Sequence, residues 1–209
     1  MNIEKDHIYH IYNQGNNRQK IFFNRENYLF FLQKIKRYIV PYADILAWCL
    51  MPNHFHMMVL VNFEELVVDD IVGVTRSDTD NSAVRDNSAV RTLNQSIGIM
   101  LRSYTRAINK SRNRTGKLFR EKTKAECITC VEGITPSFYN VNGVTQINIL
   151  KPATEQYPQI CFDYIHMNPV NAKLVEDTTH WEFSSAKDYA GIRNGKLINK
   201  KVAGQYVDF

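Results

Sequence analysis

The chain of 209 residues contains no uninterrupted apolar run of 18, so it offers no segment that reads as a membrane-spanning helix. Its opening residues, MNIEKDHIYH, lack the apolar core of a signal peptide, and the expectation is a cytoplasmic protein with no membrane partner. Cysteine is scarce, at four. Cys49 and Cys161 sit in apolar runs, which suits reduced core thiols better than a disulfide framework. Cys127 and Cys130 make a lone C-x-x-C that lacks the second pair or the histidines of a structural zinc site, so a chance spacing is the plainer reading. Acidic residues are outnumbered, 21 against 26 basic, for a net charge of +5 and a pI near 9.0. That balance points to a polyanionic partner without choosing between nucleic acid and an acidic protein. Hydrophobic content of 44% excludes a disordered chain, and the length suits one domain of roughly 150 residues with appendages.

What is present centres on LMPNHFHMMVLV, Leu50 to Val61. Its Val, Leu and aromatic enrichment reads as a strand, and because strand side chains alternate, His54 and His56 share one face. Their β-carbons are then roughly 6–7 Å apart, a span two imidazoles close onto one divalent cation or one phosphate. Phe55 and Met57 point the other way, into a core. A His-x-His alone is a weak signal in a chain with six histidines, and its surroundings must raise it.

Along the chain, His7 to Tyr12 reads as a first strand. The loop NQGNNRQKIFF follows, whose backbone amides, with Arg18 and Lys20, either hold a phosphate or form an ordinary polar turn. Asn24 caps a helix carrying Tyr28, Phe31, Leu32, Ile35 and Ile39 at helical spacing and ending near Pro41. Ala43 to Leu50 forms a hairpin with the histidine strand, and a short helix is expected beyond Glu64. DNSAVR then occurs twice in tandem, Asp80 to Arg85 and Asp86 to Arg91, too polar for a core and too short for a solenoid. It reads as a flexible surface insertion over 73–92.

A second helix is expected from Leu93 to Ser111, with Ile97, Leu101, Tyr104 and Ile108 on one stripe and Arg102, Arg106 and Lys110 on another. Tyr104 therefore faces the body of the domain, where it is either a core tyrosine or a reactive one. Arg112, Arg114, Lys117, Arg120, Lys122 and Lys124 surround Phe119, a density of cations beside an aromatic that suits a phosphate backbone. Leu118 to Ile128 reads as a strand. The Gly-, Pro-, Asn- and Thr-rich stretch after it reads as a second insertion over 129–158, with a small hairpin about Asn142-Gly143. Gln159 to Met167 reads as a helix stopped by Asn168-Pro169, and Ser184 as the cap of a last helix.

Four blocks, HIYHIYNQGNNRQKIFF, AWCLMPNHFHMMVLV, LRSYTRAINKSRNRTGKLFREKTKA and FDYIHMNPVNAKLVEDTTHWEFSSAKDYAG, together resemble the REP-associated tyrosine transposases. These belong to the single-tyrosine, His-hydrophobic-His transposases of insertion sequences. The blocks span about three-quarters of the chain, and their order is more specific than any one of them. The resemblance implies an α+β fold, a ferredoxin-like antiparallel sheet with helices packed on it plus a helical C-terminal tail. The expected division is a core over 1–128 and a tail over 159–209.

The resemblance also implies metal-dependent cleavage and strand transfer on single-stranded or hairpin DNA, by a monomer or homodimer. It makes His54 and His56 metal ligands and Tyr104 the nucleophile that becomes linked to the 5′ phosphate. Phosphoryl transfer favours Mg²⁺ or Mn²⁺ as the ion. Relatives take a third ligand from the tyrosine's helix, and Asn109 is the candidate here. DNA contacts are expected from Asn16, Arg18, Arg102, Arg106, Lys110, Arg112, Arg114, Lys117, Arg120, Lys122 and Lys124. The alternative is a domesticated or inactive DNA-binding module of the same fold.

Overall fold

The structure, a computed structural model, describes residues 3–69, 88–130 and 153–209. Its centre is a four-stranded antiparallel sheet in the order β2-β3-β1-β6, formed by β1 (Ile8–Gln14), β2 (Ala43–Met51), β3 (His54–Val61) and β6 (Lys124–Cys127). Helix α1 (Arg25–Tyr38) connects β1 to β2, and α2 (Leu93–Ser111) lies between β3 and β6. This βαββαβ succession with β1 inside the sheet is the ferredoxin-like arrangement. A separate ribbon pairs β4 (Glu65–Asp69) with β5 (Ser88–Thr92). Three further helices, α3 (Ala153–Asn171), α4 (Ala186–Tyr189) and α5 (Lys200–Ala203), complete the C-terminal part.

Alternation along β1 and β3 gives the sheet two different faces. Tyr9, Ile11, Phe55, Met57 and Val59 pack with Tyr28, Phe31 and Ile35 of α1 and Ile97, Leu101, Tyr104 and Ile108 of α2. On the other face Ile8, Cys49, Met51 and Met58 pack with Cys161, Phe162 and Ile165 of α3 and Ala203 of α5. Both helices of the first layer are capped as their sequences direct. The Asn24 side chain accepts from Asn27 N–H, and Thr92 with Gln95 forms a reciprocal capping box.

Several sequence expectations need correction. Residues beyond Glu64 form strand β4 rather than a helix, and residues 88–92, including most of the second hexapeptide copy, pair with it. Val67 and Val90 then stand mostly exposed on this ribbon. Pairing of backbone groups has overridden a polar composition. The first copy, Asp80 to Arg85, and the Asn142-Gly143 hairpin lie outside the described residues.

The strand expected over Leu118 to Ile128 is confined to Lys124–Cys127, preceded by a single bridge between Gly15 and Phe119. Leu118 and Phe119 are instead drawn into the core. Helix α3 begins inside the second expected insertion and runs through Pro158 and Pro169 to Asn171. Proline removes one donor but does not end a helix whose apolar side is held on a sheet. The 15–19 loop is no anion nest. Its Gly15, Asn16 and Arg18 amides donate to the carbonyls of Asn53, Leu118 and Gly15, which buttresses the β2–β3 turn. A β-carbon at Gly15 would stand 2.1 Å from Gln19 O, so only glycine fits there.

Candidate active site

His54 and His56 lie on the face of the sheet covered by α3. Their ring centroids are 5.0 Å apart with planes at 87°, and both rings border one recess. Each ring is fixed from behind. His54 Nδ1 lies 2.6 Å from Asn53 Oδ1, which can only accept from it, so Nδ1 carries the proton and Nε2 keeps a free lone pair. His56 Nδ1 lies 2.9 Å from Nε2 of His10, a buried histidine on the neighbouring strand β1. The Nε2 atom of His56 is buried without a hydrogen-bond partner among the described residues. Burial keeps all three rings neutral at neutral pH. It lowers His54, lowers His56 well below the ordinary histidine range, and brings His10 down to about 4.

Helix α3 supplies the other side of the space. Asn168 donates from Nδ2 to Tyr164 O at 2.8 Å, which turns Oδ1 toward His54, 3.5 Å from its Nε2. Tyr164 lies one helical turn before Asn168 on the same side of the helix. Its ring is edge-on to His56 with centroids 5.4 Å apart, and edge-on to His10 at 5.9 Å. Burial pushes the Tyr164 phenol up, while its hydrogen bond with Asn168 works the other way. Tyr12, on the neighbouring strand, donates to Glu126 Oε1 at 2.7 Å.

His54, His56, Tyr12 and Tyr164 line a recess of about 360 Å³ whose wall also includes Asn13, Gln14, Arg120, Lys122 and Lys124. A second recess of about 370 Å³ shares Asn13 and Arg120 with the first and adds Arg102, Arg106 and Lys117. The two form one cationic path around the β6 edge of the sheet. A larger recess, about 710 Å³, lies between α1 and the C-terminal segment, but it is chiefly apolar and its Asp188 and Glu182 are paired with Arg193 and Arg25.

Two expected site residues are elsewhere. Tyr104 is fully buried on the opposite face, against Phe22, Phe30, Phe31 and Phe119, and its hydroxyl donates to Ile21 O at 2.8 Å. Burial pushes its phenol far above the ordinary tyrosine value. The sheet separates it from the histidines, so the structure does not place it as their nucleophile. Asn109, on the same helix, donates to Gly116 O at 2.9 Å and closes the turn after α2. It does not line the histidine recess, whereas Asn168 Oδ1 lies 3.5 Å from His54 Nε2.

The expected DNA-binding residues divide by position. Arg120, Lys122 and Lys124 line the histidine recess, and Arg102, Arg106 and Lys117 extend it. Lys117 is shared with Glu121 across 3.4 Å. Arg114 donates to Gln19 Oε1 at 2.9 Å and Arg112 stacks on Phe23, 4.0 Å from its centroid, so both serve local packing. Asn16 and Arg18 belong to the turn beside Asn53, and Lys110 is exposed near the end of α2.

No family model and no curated protein matches this sequence. Among solved structures, the chain is similar to the REP-associated tyrosine transposase bound to a REP hairpin, with 17% identity and a TM-score of 0.48. That alignment covers 100% of this chain and 92% of the other. No described helix is long and apolar enough to cross a membrane.

Asn168 and His10 are not singled out by sequence reasoning. A signal existed in YIHMN, where Tyr164 and Asn168 are four apart. The following proline reads as a helix stop, which leaves Asn168 outside the expected helix, whereas α3 continues through Pro169 to Asn171.

Proposed function

We propose that this protein is a metal-dependent single-stranded DNA nuclease and strand transferase of the tyrosine transposase type, with Tyr164 as its nucleophile. The carrying observation is that His54, His56 and Tyr164 line one cation-bearing recess, with His54 Nε2 3.5 Å from Asn168 Oδ1 and the His56 and Tyr164 rings 5.4 Å apart. Hairpin or repetitive palindromic DNA as the substrate follows from the motif resemblance.

Two imidazoles and an amide oxygen fit a divalent ion such as Mn²⁺ or Mg²⁺, with phosphate and water oxygens for its remaining positions. When bound, the ion supplies charge neutralisation at the scissile phosphate. The chain's own residues do the rest. Asn53 and His10 hold the two ring tautomers with Nε2 free, as outer partners of metal-ligating histidines commonly do. Lys122, Lys124 and Arg120 attract the phosphodiester and favour charge on the phenol oxygen. Tyr164 Oη forms a bond to phosphorus as the bond to the 3′ oxygen breaks; the phenol gives up its proton and the 3′ oxygen gains one. The 5′-phosphotyrosine retains the bond free energy needed for rejoining, so transfer to a second strand needs no ATP.

The test is incubation of labelled hairpin DNA with the protein in Mn²⁺, followed by a denaturing protein gel. A labelled protein band is expected for wild type, lost with a chelator and with His56→Ala. Hairpin binding without any band would leave a DNA-binding module without turnover as the better reading.

A further inference from the structure

We propose a second metal site, formed by His7, Cys127 and Cys130, that takes a soft divalent cation such as Zn²⁺ and opens only when the cysteines are reduced. In the structure they are joined as a disulfide. Cys127 is the last residue of β6, which among the described residues pairs with β1 alone, and Tyr9 lies opposite it. The 127–130 turn is fastened to the start of β1. Ile128 N–H donates to Ile8 O, and Ile8 N–H donates to Thr129 Oγ1, which also lies 3.2 Å from His7 Nδ1. As a result a histidine 120 residues away in sequence from Cys127 offers a ring nitrogen within 4.8 Å of both sulfurs.

Metal–donor bonds of about 2.0–2.3 Å hold tetrahedral donors roughly 3.3–3.8 Å apart, so small side-chain shifts bring these three into range. All three residues are partly exposed, which leaves a path for the ion and a fourth position for water. Two thiolates and an imidazole select zinc over magnesium or manganese, the reverse of the oxygen-bearing set around His54. The C-x-x-C that was too isolated to be a zinc motif in sequence thus gains its histidine through the fold.

The chemistry balances with a cellular dithiol as the co-reactant. The dithiol gives two electrons and two protons to the Cys127–Cys130 bond and leaves as its own disulfide; the two thiols then lose their protons as the cation binds. A metal at this point ties the 127–130 turn to His7, just before β1, and so holds the end of β6, the strand that carries Lys124 to the histidine recess; the disulfide closes only the 127–130 turn itself.

Cobalt(II) is the probe, added anaerobically to the full-length protein in its reduced and oxidised forms. One equivalent with a thiolate-to-cobalt charge-transfer absorption is expected for the reduced form, displaced by Zn²⁺. The oxidised form should show none. Cys49 and Cys161 are buried and do not contribute. Cys130→Ser should remove the absorption, and His7→Ala should weaken cobalt binding by more than the roughly tenfold expected for loss of a mere outer partner. Reduced wild-type protein without the absorption overturns the site, and so does an absorption that survives Cys127→Ser or an affinity unchanged in His7→Ala. Cobalt held only at His54, His56 and Asn168 gives no thiolate absorption, so the two sites are told apart.

Discussion

His54 Nε2 and Asn168 Oδ1 lie 3.5 Å apart although 114 residues separate them in sequence. A β-hairpin and a late helix meet there, on the face of the sheet that the proposed function makes the reactive one. Asn168→Ala should therefore weaken Mn²⁺ binding by more than about tenfold, whereas Asn109→Ala should leave it unchanged. Isothermal titration of both variants decides between them, and the reverse order of effects would return the third ligand to α2.

Tyr104→Phe should behave as a core mutation. It removes one buried donor and strands the Ile21 carbonyl, for a loss of about 1–3 kcal/mol in urea unfolding. Covalent adduct formation should persist once the protein is folded. Unaltered stability with a lost adduct would place the reactive hydroxyl on α2 after all.

Lys122 and Lys124 line the recess, so their joint replacement by Gln should reduce the salt dependence of single-stranded DNA binding. Two lost phosphate contacts correspond to a slope change of roughly 1.4 in log K against log salt. Lys110→Gln, farther along α2, should change it little. An unaltered slope in the double variant would make these lysines a solvated edge.

Stability should fall as the solution becomes mildly acidic. Burial lowers His10 and His166 to about 4, while the unfolded chain titrates near the ordinary value of 6.5. The unfolded state thus binds more protons between these values, so the contribution is complete above pH 6.5 and is lost as pH falls toward 4. His166, held 2.7 Å from Ser185 Oγ, accounts for about 3 kcal/mol on this basis. Urea midpoints measured from pH 7.5 to 4.5 should decline throughout the lower half of that range; a flat curve down to 4.5 would mean the histidines are charged in the folded state.

The hairpin and its histidines were legible because alternation and the Pro52-Asn53 turn are local. So were α1 and α2, whose apolar stripes and caps lie within a few residues of each other. Which face α2 covers is a non-local fact. An inward stripe tells that Tyr104 meets a sheet but not which side, and the apolar parity of Phe55, Met57 and Val59 decides it. Two amphipathic helices need that apolar side, so they leave the histidine side to something else. That parity is itself present in the sequence. The pairing of His7 with Cys127 and Cys130 was not available, because it depends on the β1–β6 register across more than 100 residues.

The most direct measurement is the identity of the residue that carries the nucleotide. Hairpin DNA is allowed to react in Mn²⁺, the protein is digested, and the modified peptide is sequenced by tandem mass spectrometry. The expected mass addition lies on Tyr164 within the peptide containing QICFDYIHMNPV, and Tyr164→Phe loses it while still binding the hairpin. Modification of Tyr104 instead, with Tyr164 unmodified, would contradict the proposed site.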